Sequence, residues 1–317
     1  MKKKLLICGG TGFIGRNLAE RYADDERYEV TVTHFRREPW GDHPNLKWIR
    51  ADLRVAKDVE RVIEGQDIVL QAAATTSGSA EIVSKPYIHV TDNVVMNSLL
   101  LRAAFEHSVS HFLFFSCTVM YSSQPEPLKE SDFDANAEMH ERYFGAGWMK
   151  VYCEKQCEFY SRLGRTKHTV LRHSNIYGPH DKFDLERSHV FGATMTKVLT
   201  ADDGKIMVWG TGEEERDLLY IDDLTAAVVA SLEHQKDTFG LYNVGQGESV
   251  SIKQLVHTMI RCAEVQLEVD HDLSKPTIPT KLCVDFSKAH SELGWRPRIS
   301  LQEGINRTLC WYRENIL

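Results

Sequence analysis

Ile7-Cys8-Gly9-Gly10-Thr11-Gly12-Phe13-Ile14-Gly15 is the stretch from which the fold of this chain is read. The apolar run Leu5 to Cys8 suits a buried strand, and Asn17, Leu18, Ala19, Arg21 and Tyr22 have helical spacing with an apolar stripe. Strand, glycine turn and helix in that order form a dinucleotide-binding turn. Gly9 permits the tight turn, Gly12 clears the approach of a pyrophosphate, and Gly15 lets helix and strand pack closely. Thr11, Phe13 and Ile14 fill out the loop, whose free N–H groups at the helix start attract an anion. Glycine-rich turns also arise for packing alone. Here a second strand, Val30 to Thr33, follows about one βαβ unit later, which favours cofactor binding.

Composition narrows the class. With 317 residues and 42% hydrophobic content, the chain can bury a large core or two unequal lobes. A net charge of −7 offers nothing to nucleic acid, and Lys2-Lys3-Lys4 reads as the solvated entry to the first strand. No apolar run approaches the roughly 20 residues of a membrane span. Gly9 to Gly15 interrupts the one apolar stretch near the N-terminus, so no signal peptide is expected. Seven scattered cysteines, an odd number, suit a reduced, cytoplasmic protein.

Along the chain, the second strand ends near His34, followed by Arg36 and Arg37. An acid at this tip would hold a ribose 2′-hydroxyl; two arginines instead offer charge to a 2′-phosphate, or simply face solvent. NADP is therefore expected ahead of NAD. Asp52-Leu53 follows a third strand, Leu46 to Arg50, and is expected at the adenine edge. Asp67 to Ala74 reads as a fourth strand ending in Ala72-Ala73-Ala74, small residues against which a cofactor can lie. A helix is expected from Asn93 to Glu106. His107 and His111 are split by a helix-to-strand boundary, so no shared metal is expected. The fifth strand, Phe112 to Phe115, delivers Ser116-Cys117-Thr118 to its C-terminal end, where open parallel sheets bind ligands.

Residues 122–142 read as a loop, and a helix begins at about Gly147, with Cys153 and Cys157 on one packing face. A sixth strand, Thr169 to His173, exits through the turn-rich Ser174 to Pro179. Leu218 to Ile221, a helix from Asp223 to Leu232 and the strand Leu241 to Val244 read as a return to the first lobe. Ser251 and Gln254 form a capping box for a helix through Arg261, and an amphipathic helix covers Leu301 to Tyr312. The expected fold is an α/β doubly wound parallel sheet with a smaller C-terminal α/β substrate lobe. Residues 1–175, with a return near 218–245, form the dinucleotide-binding domain, and 176–317 the substrate lobe.

The glycine pattern, Asp52-Leu53, Ala72-Ala73-Ala74, Lys150 and Asn175-Ile176-Tyr177-Gly178-Pro179 together resemble the extended short-chain dehydrogenase/reductase family. The resemblance covers nearly the whole chain and implies a Rossmann fold and a nucleotide-diphosphate sugar as substrate. The run Ser174 to Phe183 with Ser188-His189-Val190 resembles the branch that epimerises and reduces GDP-linked 4-keto sugars with NADPH. Epimerisation beside a ketone needs an acid and a base, and Cys117 and His189 stand at the corresponding positions. An alignment anchored on Tyr121 instead puts Thr118 in the slot of Cys117, and the two registers stay open. The resemblance further implies that Asn175 contacts substrate, Trp209 stacks on the base, and Lys197, Arg216 and Lys281 neutralise the diphosphate. It also implies a homodimer through the helices near 93–106 and after 147.

One position departs from that pattern. Four residues before Lys150, where the family carries its catalytic tyrosine, stands Ala146. Lys150 would still hold the nicotinamide ribose, but no phenol is there to protonate the ketone oxygen; Tyr143 lies one helical turn early, about 4.5 Å along an axis. Three readings follow. One is an NADP-dependent 4-ketoreductase, with or without 3,5-epimerisation. Another is a nucleotide-sugar 4-epimerase, dehydratase or C4 dehydrogenase that retains NAD. The last is an inactivated variant or a non-catalytic binder of sugar nucleotides.

Overall fold

The structure, a computed structural model, describes residues 2–75, 86–185, 188–274 and 281–317. The chain begins with β1 (Lys3–Cys8), α1 (Phe13–Ala23), β2 (Tyr28–His34), β3 (Leu46–Arg50), α2 (Ala56–Ile63), β4 (Ile68–Gln71) and α3 (Pro86–Glu106). Then come β5 (His111–Cys117), α4 (Phe144–Arg162), β6 (Lys167–His173), β7 (Asn175–Tyr177) and α5 (Val190–Thr200). The chain continues with β8 (Lys205–Trp209), β9 (Glu215–Arg216), β10 (Leu218–Tyr220), α6 (Ile221–His234), β11 (Phe239–Val244), β12 (Val250–Ser251) and α7 (Ile252–Ala263). It ends with β13 (Glu268–Asp272), α8 (Ser287–Leu293) and α9 (Leu301–Asn315).

Seven strands form one sheet in the order β11-β6-β5-β4-β1-β2-β3, and every pairing in it is parallel. Both faces are covered. Leu5 and Ile7 join one core cluster with Leu18, Leu224 and Leu255, while Leu6 and Cys8 join a second with Leu100 and Phe112. Alternate residues of one strand thus feed opposite cores, which is why β1 reads as an uninterrupted apolar run. The chain reverses its direction of travel across the sheet between β1 and β4, opening the crevice where doubly wound folds bind ligands.

Several boundaries move. The fourth strand covers Ile68–Gln71 alone, so Asp67 and Ala72 to Ala74 lie outside it, and the fifth reaches Cys117. The exit after His173 contains β7, paired in parallel with β10, so Leu218–Tyr220 stays out of the main sheet. The return is made by β11, alongside β6. The segment read as a loop, residues 122–142, holds one 3₁₀ turn, Glu130–Asp132, and begins a second, Glu141–Tyr143, at its end. The Ser251 capping box forms as read.

One buried ion pair binds α4 to the sheet. Arg172 Nη2 lies 2.6 Å from Glu154 Oε2, with both side chains 4% exposed. Ser116 Oγ donates to the same carboxylate at 2.5 Å. Arg172 Nη1 donates to the Tyr121 hydroxyl, which donates onward to Asn243 Oδ1, both at 2.8 Å. Removing one member of a buried pair strands the other's charge. Glu154→Gln should therefore cost about 3–5 kcal/mol in denaturant unfolding. Glu158→Gln, which breaks surface pairs with Lys155 and Arg162, should cost under about 1 kcal/mol.

Candidate functional site

The glycine turn is a cradle. Gly9 has φ +80°, and a Cβ there would lie 2.6 Å from the Ala73 Cα. A Cβ on Gly15 would lie 2.2 Å from the Gly9 carbonyl oxygen. Gly12 differs, because an added Cβ meets only the Gly9 oxygen, at 3.3 Å, and otherwise open space. Gly12 is also the N-cap of α1 and gives no side-chain cap, so the N–H groups of Phe13 and Ile14 have no intrahelical acceptor. Room above Gly12 and orphan donors at a helix N-terminus fit a diphosphate. Thr11 lies half-buried in the same turn, Ala72 and Ala73 are half-buried beside it, and Ala74 is exposed.

Past the tip of β2, beside the glycine turn, Arg36 and Arg37 are exposed. The Arg36 guanidinium lies 5.6 Å from the Phe35 ring centroid. His34 Nδ1 is 3.1 Å from the Arg37 carbonyl oxygen. Asp52 pairs with Arg54 at 2.8 Å, which holds its carboxyl below the usual range; Arg54 also pairs with Asp92 at 2.8 Å. Leu53 is buried in the core shared with α2 and α3.

The strand ends of β5 and β6 carry the remaining chemistry. Ala146 lies in the first turn of α4, one turn before Lys150. Lys150 Nζ donates to the Phe115 carbonyl at 2.6 Å and sits 4.7 Å from the Phe114 ring centroid. Cys117 ends β5, followed by buried Thr118. Desolvation raises the Cys117 thiol, and the Lys150 ammonium pulls it back down. Its register partner on β6 is His173. His189 stands just before α5, and desolvation, then the Lys182 ammonium, hold its imidazole below the usual range. The charges of His189 and Lys150 both reach His173, so these groups share one neighbourhood.

The substrate-side residues fall into separate groups. Asn175 donates from Nδ2 to the Asp217 carbonyl at 3.2 Å. Lys197 donates to the Met207 carbonyl at 2.9 Å and lies 5.8 Å from the ring centroid of Trp209, itself 52% exposed. Lys281 pairs with Glu215 at 3.2 Å. The Arg216 guanidinium, less basic than usual through desolvation, is within charge range of Tyr143. Tyr143 caps α4 from a 3₁₀ turn and is outside the regular helix. His173 is a residue that sequence reasoning passed over. Its signal was its place at the C-terminal end of the sixth strand, level with Cys117.

The sequence pattern of the NAD dependent epimerase/dehydratase family matches residues 5–245. The chain belongs to that family. Members use nicotinamide cofactors, in keeping with the cradle at Gly12. Among curated relatives, GDP-L-fucose synthase 1 of Arabidopsis thaliana is 30% identical over 99% of this chain and 94% of its own length. GDP-L-fucose synthase of Escherichia coli (strain K12) is 29% identical over 99% and 98%. Among solved structures, the UDP-glucose 4-epimerase of Thermotoga maritima with UDP-glucose superposes with a TM-score of 0.86 at 24% identity. It covers 99% of this chain and 100% of that one. The family is one of nucleotide-sugar epimerases and reductases, and the fold is Rossmann-like. Among the described residues, no helix is long and apolar enough to cross a membrane, and no three His, Cys, Asp or Glu side chains cluster as metal ligands.

The two helix-side glycines separate folding from binding. Gly12→Ala should leave the thermal midpoint nearly unchanged yet weaken dinucleotide binding by about tenfold or more, about 1.4 kcal/mol. Gly15→Ala should lower the midpoint as well, because strand and helix must part. Calorimetric titration and thermal unfolding of both variants check this.

Proposed function

We propose that this chain is an NADP-dependent 4-ketoreductase of a GDP-linked 4-keto sugar, acting also as the 3,5-epimerase that prepares its own substrate. The observation that supports the reading is that Lys150 and His189 both act on His173, the register partner of Cys117, on the same sheet edge as the glycine cradle. The full-length likeness to GDP-L-fucose synthases supports the same choice of sugar nucleotide. Bound in the cradle, a nicotinamide dinucleotide supplies the hydride. Cys117 and His189 exchange the protons at the carbons flanking the ketone, since a thiol and an imidazole change protonation at modest cost near neutral pH. Lys150, fixed by the Phe115 carbonyl, holds the cofactor ribose. Trp209 stacks on the base, with Arg216, Lys197 and Lys281 toward the diphosphate and Asn175 on the sugar side. The protein works in the cytoplasm as a homodimer, whose contact uses the exposed Tyr87, Val95, Tyr152 and Phe159 of α3 and α4.

Cofactor preference is set at the β2 tip. NADPH should bind more tightly than NADH, and Arg36→Ala and Arg37→Ala should each reduce that preference. Equal affinities in the parent, or a preference for NADH, would overturn the assignment.

Ala146 limits turnover. A positioned acid contributes about 10²–10⁴-fold, or roughly 3–5 kcal/mol of barrier, so Ala146→Tyr should raise kcat at pH 7 and leave KM nearly alone. In that variant, reduction of a GDP-linked 4-keto-6-deoxyhexose in deuterated water should place deuterium at both carbons beside the ketone. His189→Ala should suppress exchange at one or both. Reduction without any exchange would make the protein a simple reductase, and a tightly retained NAD would favour a 4-epimerase or C4 dehydrogenase.

A further inference from the structure

We propose that His173 is a proton-transfer residue of this site, exchanging a proton through Nε2 with the sugar oxygen where position 146 provides no phenol. The proposal rests on the reading above in one respect, that the sugar carbon beside the cofactor is oxidised or reduced.

Four observations meet at this imidazole. His173 is the last residue of β6 and pairs in register with Cys117 at the C-terminal edge of the sheet. Successive strands β6, β5, β4 and β1 lie about 4.8 Å apart, so His173 stands roughly 14 Å along the edge from the glycine turn. Lys150 Nζ is anchored on Phe115, the ring of which lies 6.4 Å from the imidazole, centroid to centroid. Nδ1 lies 2.8 Å from the Ser174 carbonyl oxygen. A carbonyl only accepts, so Nδ1 carries the hydrogen and Nε2 of the neutral ring is a lone-pair acceptor. Nε2 has no partner among the described residues.

The chemistry balances in both directions. When a sugar hydroxyl is oxidised, its proton passes to Nε2 and its carbon-bound hydride to the oxidised nicotinamide dinucleotide, leaving a ketone. In reduction the imidazolium returns that proton to the forming alkoxide. The titratable and charged groups facing His173 are Cys117 from β5, Lys150 from α4 and His189 before α5. Desolvation first, with Lys150 and His189 adding repulsion, pushes the imidazole down to about 4. The sign follows: only the protonated ring can act as the acid, so ketone reduction should speed up to tenfold for each pH unit lowered above that value. A phenol acid supplied by Ala146→Tyr would flatten this slope.

Two measurements decide the matter. In the first, the Nε2 resonance of His173 is followed by ¹⁵N NMR as GDP-mannose is added to the protein holding NADP⁺. A clear shift is expected, and an unmoved signal overturns the proposal whatever the activity. In the second, His173→Gln and His173→Asn are compared with the parent; the Asn amide can still donate to the Ser174 carbonyl, guarding against loss of the fold. Both should keep NADP⁺ affinity within about twofold, lose 10²–10⁴-fold in kcat and lose the acid slope. Parent-like turnover with the slope intact overturns the proposal. Absence of turnover in the parent and in Ala146→Tyr alike would refute the reductase reading instead, and the NMR result would still decide for His173.

Discussion

The Glu154 carboxylate is the point on which the site's geometry depends. It sits one turn after Lys150 on α4 and is gripped from β5 by Ser116 and from β6 by Arg172. Three elements are thereby locked at one depth. Through Tyr121 the lock extends to Asn243 on β11, which also donates to the Leu128 carbonyl at 2.8 Å. Burying two charges in apolar surroundings contributes little net stability compared with a well-packed apolar pair. Its effect is on register. A slip of α4 along the sheet would part Glu154 from Arg172 and carry Lys150 off the Phe115 carbonyl in the same motion.

A second constraint comes from steric contact and fixes the other end of the crevice. Gly9 and Gly15 are packed so closely that a single methyl at either would collide with backbone. This pulls the exit of β1, the exit of β4 and the start of α1 into one small volume, with the open space over Gly12 as its floor. The sheet then carries the distance from there to Cys117 and His173 as a fixed number of strand spacings. One end of the crevice is thus set by close contact, and the other by a buried charge. The parallel ladder between them makes the separation rigid.

This division explains what could be read in advance. The glycine turn, the apolar strands and the Ser251 cap are local signals, in which a few adjacent residues determine the backbone; the turn and the cap lie where the sequence indicated, and the strands lie there with shifted ends. The third strand, Leu46–Arg50, was legible to the residue. Strand β7 was not, because Asn175–Tyr177 is held by pairing with a segment more than 40 residues later, and its own residues look like a turn. The parallel pair of β8 with β13 escaped for the same reason. The pairing of Asp52 with Arg54, and of Arg54 with Asp92 on a distant helix, depends on a long-range contact and carries no local signal. The same holds for the Leu53 side chain, which packs into the core shared with α2 and α3. His173 was invisible as a site residue because its significance lies in cross-strand register with Cys117.

The alanine at 146 changes what the neighbouring cation does. A lysine one turn beyond a phenol stabilises the phenolate and so makes the acid stronger. With a methyl group in that place, the same ammonium has a carbonyl, an aromatic face and a thiol as its neighbours. Its field still favours any anion forming at the strand end, including an alkoxide on a bound sugar. It disfavours a second cation there and so adds to the desolvation that holds the His173 ring neutral. With His173 as the proposed proton carrier, such a site would release a ketone more readily at high pH and consume one more readily at low pH.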